Sequence, residues 1–209
     1  QTTVDLAAAL AWLRARNEER PVTERVLPAA LLLKATAVAA AEHPELNGWW
    51  DDGHQPSPAV HLGVAIALRG GGLVAPGIAD AERLSLDELM AALRDLTARA
   101  RAGRVRQSEW TGPTITVTNL GDLGVDAVWG VIHPPQLAMV GFGAVHDAVV
   151  PVDGQPAVHP VVVASLAADH RASDGIQGAA FLTRLGHLLQ APEELDPPAP
   201  PPPTNGSPP

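Results

Sequence analysis

Residues 28–43, PAALLLKATAVAAAEH, carry apolar side chains almost all the way round a helix rather than along one stripe. Such a helix is stable in water only when other elements cover it on most sides, so the rest of the chain must supply layers around it. Pro28 suits the first turn, where a missing N–H is no loss, and the helix has to stop before Pro44. Pro28 and Lys34 interrupt the apolar stretch, which falls short of the ~20 residues a bilayer span requires. A core helix is therefore predicted, and no membrane association is expected.

The covering layers can be read on both sides of it. TTVDLAAALAWLRARNEE opens with a short β-like piece and continues as a helix bearing Leu6, Leu10 and Leu13, with Asp5 as the expected N-cap. SLDELMAALRDLTARARAG is a capping-box helix, with Ser85 at its start, Glu88 three residues on and Gly103 as its stop. A last helix is predicted over residues 176–190. AVHLGVAIAL and GGLVAPGI read as extended segments that turn near Gly70–Gly72, and residues 114–121, 136–145 and 160–168 as three further strands. The irregular alternation favours an α/β (α+β) domain with a mixed β-sheet covered by helices over a strictly parallel one. With 209 residues, 46% hydrophobic and 18% charged, the chain can bury one such core. From Ala191 the sequence turns proline-dense, and residues 196–209 are expected to be a disordered tail.

Composition removes several functions. The net charge is −9 and no block of Lys and Arg is present, so nucleic acid is not an expected partner. With no cysteine there can be no disulfide, thiolate metal site or cysteine nucleophile. A cytoplasmic location fits this and the lack of a signal-peptide pattern. His43, His54, His61, His133, His146, His159 and His187 show no metal-like clustering, and no metal is expected. The glycines at 70–72, 121 and 124 form no dinucleotide fingerprint.

The chemistry-bearing stretch is ADHRASDGIQGAAFL, residues 168–182. His170 falls in a strand-to-helix connection, where a group that titrates near neutrality can act as a base. Asp174 could orient a base or hold the loop by pairing with an arginine, and Gly175 eases the turn. Taken alone, His-x-x-x-Asp-Gly is equally an ordinary polar turn.

Collinear segments extend the signal. DHRASDG, with LLLKATAVAAAEHPELNGWW, LGVAIALRGGGLVAPGI, ITVTNLGDLGVDAVWGVIHPPQLAMVGFG and GAAFLTRLGHLL in order, resembles the catalytic domain of the dihydrolipoamide acyltransferase (E2) component of 2-oxo acid dehydrogenase complexes. The resemblance covers residues 1–195 and implies a chloramphenicol acetyltransferase-like fold. It implies that His170 takes the proton of a coenzyme A or dihydrolipoyl thiol, whose thiolate attacks a thioester directly. Thr118, in TVTNLG, matches the hydroxyl that stabilises the oxyanion. Asp174 matches an aspartate whose implied role is a salt bridge holding the loop, and Asp169 and Arg171 read as further supports.

The same resemblance implies a homotrimer, with His170 of one subunit facing Thr118 of the next, and the E1 and E3 components as partners. Coenzyme A is a substrate, and the lipoyl group rides on a separate domain or protein. The family's opening helix, whose arginine pairs with the motif aspartate, has no counterpart after Gln1, so the partner of Asp174 stays open. A proline-rich end cannot make the apolar contact of cubic cores, and a 24-subunit cage is not expected. A catalytically silent E2-like scaffold and a stand-alone acyltransferase with a non-lipoyl acceptor remain as alternatives. Condensation domains share a related HHxxxDG motif, but residue 169 is aspartate and the chain is too short. Trp49, Trp50 and Trp129 read as packing residues, in the core or at a subunit contact, or as a wall of an acyl pocket.

Overall fold

A computed structural model of the chain describes residues 1–68 and 70–196. In chain order the elements are β1 (Thr2–Asp5), α1 (Ala7–Asn17), α2 (Pro28–Glu42), β2 (Gly48–Trp50), β3 (His54–Pro56), β4 (Leu62–Val64), β5 (Ile66–Ala67), β6 (Leu73–Val74), β7 (Gly77–Ile78), α3 (Leu86–Arg101), α4 (Gln107–Thr111), β8 (Ile115–Asn119), β9 (Ala138–Phe142), β10 (His146–Val152), β11 (Gln155–Ala168) and α5 (Gly175–Gln190).

Seven strands form one mixed sheet in the order β1-β11-β9-β8-β4-β7, with β10 also on β11. The pairs β4–β8 and β8–β9 are parallel and the others antiparallel. Two short ribbons, β2–β3 and β5–β6, stand off it. The second joins Ile66 to Val74 across the glycine turn, as the sequence suggested.

The apolar helix α2 lies where its composition requires, packed against α3, α5 and β8. Its leucines 31 to 33 are at most 5% exposed, and burying each contributes about 2 kcal/mol. Lys34, on the same helix, is also buried; its Nζ donates to the carbonyls of Glu82 at 2.6 Å and Leu84 at 2.5 Å. Burial pushes this amine below its ordinary pKa, against the pull of the nearby carboxylates. The α5 helix turns Phe181, Leu185, Leu188 and Leu189 into the same core.

Several boundaries differ from the sequence reading, each for a local reason. Asp5 ends β1 instead of capping α1, and its carboxylate accepts from the Ala7 N–H at 2.8 Å from one residue further back. The α3 capping box is present in both directions, and Gly103 follows the helix at φ +68°. Residues 136–145 do not run as one strand: β9 stops at Phe142, and Gly143 to Val145 bend the chain into β10, which pairs with a β11 that begins at Gln155. The alternating apolar residues of 146–158 are exposed on one face, as at Val149 and Val158, so this hairpin lacked the hydrophobic run that marks a buried strand. At the C-terminus, Pro192–Leu195 forms a 3₁₀ turn with Leu195 buried. Asp196, assigned above to the tail, is anchored by Arg16 at 2.6 Å and by the Leu86 N–H. The remainder of the expected tail, 197–209, lies outside the described residues.

Candidate active site

Strand β11 delivers the chain to Asp169, whose N–H donates to the Leu137 carbonyl at 2.8 Å and continues the sheet by one bond. Its carbonyl then accepts from the N–H groups of Ala172 and Ser173, closing a tight turn with His170 and Arg171 at the outside. The Asp169 carboxylate accepts from the Arg171 N–H at 3.0 Å and from the guanidinium through Nε and Nη2, the latter at 2.6 Å. This fork, with the backbone donor, holds the Asp169 carboxyl down at about 2. The outer face of the Arg171 guanidinium rests on Trp50, 4.4 Å from the ring centroid.

Asp174 caps the helix that leaves the loop. Its carboxylate accepts from the N–H groups of Ile176 at 2.8 Å and Gln177 at 3.2 Å, and Gln177 Oε1 accepts from the Asp174 N–H. Asp174 is thus the N-cap of α5 in a full capping box. Among the described residues the ion pair in this loop belongs to Asp169 and Arg171, not to Asp174. The signal was legible: Asp-x-x-Gln before an apolar run is a helix start in its own right.

His170 stands exposed at the apex of the turn, and no hydrogen bond to its ring is present among the described residues. The loop fixes its backbone and leaves both ring nitrogens free.

Thr116 and Thr118 lie on β8 and Thr114 immediately precedes it, spaced by two and so in line along one face. Thr114 donates to Asn47 Oδ1 at 2.5 Å and Thr116 to Gln136 Oε1 at 2.6 Å. The Thr118 hydroxyl, on a residue only 8% exposed, makes no hydrogen bond among the described residues. It is the uncommitted member of a row whose other hydroxyls are used to hold the structure.

Within one chain the two residues do not meet. Thr118 pairs with Gly141, and Gly141 with Ser165, so Thr118 lies two strands across from Ser165. His170 is five residues further along β11, beyond the opposite end of β8. At strand spacings this separates them by roughly 15–20 Å. A cavity of about 480 Å³ beside α3 and α4, lined by His61, Ile78, Leu96, Arg99 and Glu109, includes neither residue.

Comparison with known proteins gives this geometry its context. Residues 1–196 match the family described as 2-oxoacid dehydrogenases acyltransferase (catalytic domain). The dihydrolipoyllysine-residue acetyltransferase component of the acetoin cleaving system of Bacillus subtilis is 38% identical over 164 residues, 78% of this chain and 41% of the relative. The chain thus spans about two-fifths of that protein's length. Two solved structures match with a TM-score of 0.84 and 27% identity, over 93% of this chain and 81% of theirs. One is the cubic core of the pyruvate dehydrogenase multienzyme complex; the other is the Azotobacter vinelandii dihydrolipoamide acetyltransferase, studied for the catalytic roles of a serine, a histidine and an asparagine. Chloramphenicol acetyltransferase, at 16% identity and a TM-score of 0.57 over 90% of this chain and 86% of its own, shares the fold. This chain belongs to the family of 2-oxoacid dehydrogenase acyltransferase catalytic domains.

Proposed function

We propose that this chain moves an acyl group between the thiols of coenzyme A and a dihydrolipoyl group, at a site formed by His170 of one copy and Thr118 of the next in a homotrimer. The observation that carries the reading is the pairing of two unfinished groups. A base and a hydroxyl on a nearly buried residue, both without a partner among the described residues, sit too far apart to serve one another within a chain. The spacing agrees with the Azotobacter enzyme: its studied serine precedes the histidine by 52 residues and its asparagine follows by four, as Thr118 and Asp174 do around His170.

The chemistry follows from the residue types. An imidazole nitrogen of His170 takes the proton of the attacking thiol, the sulfur forms a bond to the thioester carbonyl carbon, and the carbonyl oxygen becomes an oxyanion. The Thr118 O–H donates to that oxygen, and it is free to do so because no group among the described residues has claimed it. Collapse breaks the bond to the departing sulfur, which receives the proton from the imidazolium. Asp174 acts through the helix it caps, fixing where α5 begins and so where the loop ends.

Coenzyme A enters as a substrate, and the lipoyl group arrives on a separate domain or protein. The E1 and E3 components of a 2-oxo acid dehydrogenase complex are the partners this implies, in the cytoplasm; no helix among the described residues is long and apolar enough to cross a membrane. A silent scaffold has no use for a free base and a free hydroxyl, which favours the enzyme.

The test is acyl transfer from acetyl-, succinyl- and isobutyryl-coenzyme A to dihydrolipoamide, wild type against His170→Ala. Transfer that disappears in the variant is expected, and the preferred donor names the acyl class. A well-folded trimer that transfers nothing would turn the assignment toward a scaffold or another acceptor.

A further inference from the structure

Trp49 and Trp50 are neighbours on β2, so their side chains leave the strand in opposite directions. Each grips a different half of the candidate site. Trp49 donates its indole N–H to the Pro113 carbonyl at 3.1 Å, in the lead-in to β8. It also bridges to Gln136, the residue that accepts from Thr116. Trp50 donates its backbone N–H to Pro135 at 2.8 Å and turns its ring under the Arg171 guanidinium.

The backbone of the turn is held by the Asp169 bonds and the α5 cap, but the Arg171 arm that braces its outer side has only the fork and that ring. The Asp169 side chain is 11% exposed but the Arg171 side chain is 60% exposed, and ordering a long side chain that is open to water offsets much of the attraction. A planar guanidinium stacked on an indole has already lost that freedom, so its fork meets Asp169 in one orientation. Among the described residues none hydrogen-bonds to the His170 ring, so its place is set by the backbone of this turn.

We propose that Trp50 is a positioning residue for His170, acting through the Arg171 guanidinium that it stacks against and the Asp169 carboxylate that Arg171 grips. The effect on turnover rests on the reading of His170 as the base; the effect on the loop does not. The hairpin also gives the His170 loop and the Thr118 strand a common anchor, Trp50 on one and Trp49 on the other.

The test uses the whole chain with Trp50→Ala, Trp50→Phe and Arg171→Lys, following acyl transfer and amide hydrogen exchange at Ala172 and Ser173. Trp50→Ala is expected to lower kcat about tenfold and to leave KM for coenzyme A within about twofold. Trp50→Phe, which keeps an aromatic face, recovers most of the rate, and exchange at the two amides accelerates in Trp50→Ala but not in Trp50→Phe. Arg171→Lys keeps the hairpin intact but lacks the planar fork, and it carries the same expectation as Trp50→Ala should that variant fail to fold. Exchange is read without turnover, so an inactive wild type would sink the functional reading and still leave the clamp tested. Unchanged exchange in Trp50→Ala or Arg171→Lys overturns the proposal, as does a Trp50→Phe variant as impaired as Trp50→Ala.

Discussion

The His170 loop and the Thr118 strand are built from opposite materials toward the same end. The loop is ionic and exposed at its apex: a carboxylate, a guanidinium and a helix cap hold His170 and Arg171 out in water over a buried Ser173. The strand is buried and neutral, with hydroxyls matched to amide side chains across the sheet face. In both, the polar groups around the key residue are satisfied at home and the key residue is not. A surface turn usually leaves several groups to water, and a buried strand usually leaves none. One unpaired group in each setting is what the two segments share.

Several changes would break that comparison. The largest effect is expected for His170→Ala, a loss of about 10²- to 10⁴-fold in kcat with assembly unchanged, because the variant lacks the imidazole that takes the proton. Thr118→Val should cost about 10²- to 10³-fold, with Thr118→Ser close to wild type. Thr116→Val, two residues away, should do the reverse: about 1–3 kcal/mol of stability from the stranded Gln136 acceptor, and little change in kcat. Equal effects of the two valine variants on rate would remove the distinction between them. Co-assembly of His170→Ala with Thr118→Val sharpens it further. If each site draws its two groups from adjacent copies, a random one-to-one mixture regains about a quarter of wild-type activity. A site made within one chain regains nothing. Asp174→Ala is expected to cost about 1 kcal/mol of stability through the lost cap, with Asp174→Asn retaining most of it, measured by denaturant unfolding.

Sequence carried the fold where burial was continuous. The all-round apolar character of α2, the α3 capping box and the apolar strands β8, β9 and β11 each state their structure locally, and periodicity finds them. The β10 hairpin arm escaped because its alternation faces solvent, and α4 because a five-residue helix has no period to detect. At the site, His170 and Thr118 were nameable only through collinear motifs, since a lone histidine in a turn and a threonine in a strand are unremarkable. The capping role of Asp174 was legible in the local Asp-x-x-Gln pattern, whereas the salt bridge that the resemblance implies has no partner among the described residues. Trp50 could not have been paired with Arg171 by any local rule: 121 positions separate them, and only the sheet brings the β2 hairpin beside the end of β11.

The smallest expected effect lies in acid, and it separates the two regions by chemistry alone. The Asp169 carboxyl is held at about 2, below its ordinary 3.8, by the Arg171 fork and the Arg171 N–H. A carboxyl lowered by folding stabilises the folded form fully above its unfolded pKa and loses that contribution as pH falls through the folded one. Exchange protection at Ala172 and Ser173, corrected for the intrinsic rate, should therefore hold from neutrality to about pH 4 and decline toward pH 2. Asp169→Asn should lack that decline and begin from weaker protection. The β8 row contains only hydroxyl and amide partners, so its amides should stay protected until the whole domain unfolds. A loop that keeps full protection at pH 2 would mean that Trp50 and the α5 cap hold it without the carboxylate, and the contrast between an ionic loop and a neutral strand would give way to one between a stacked loop and a paired strand.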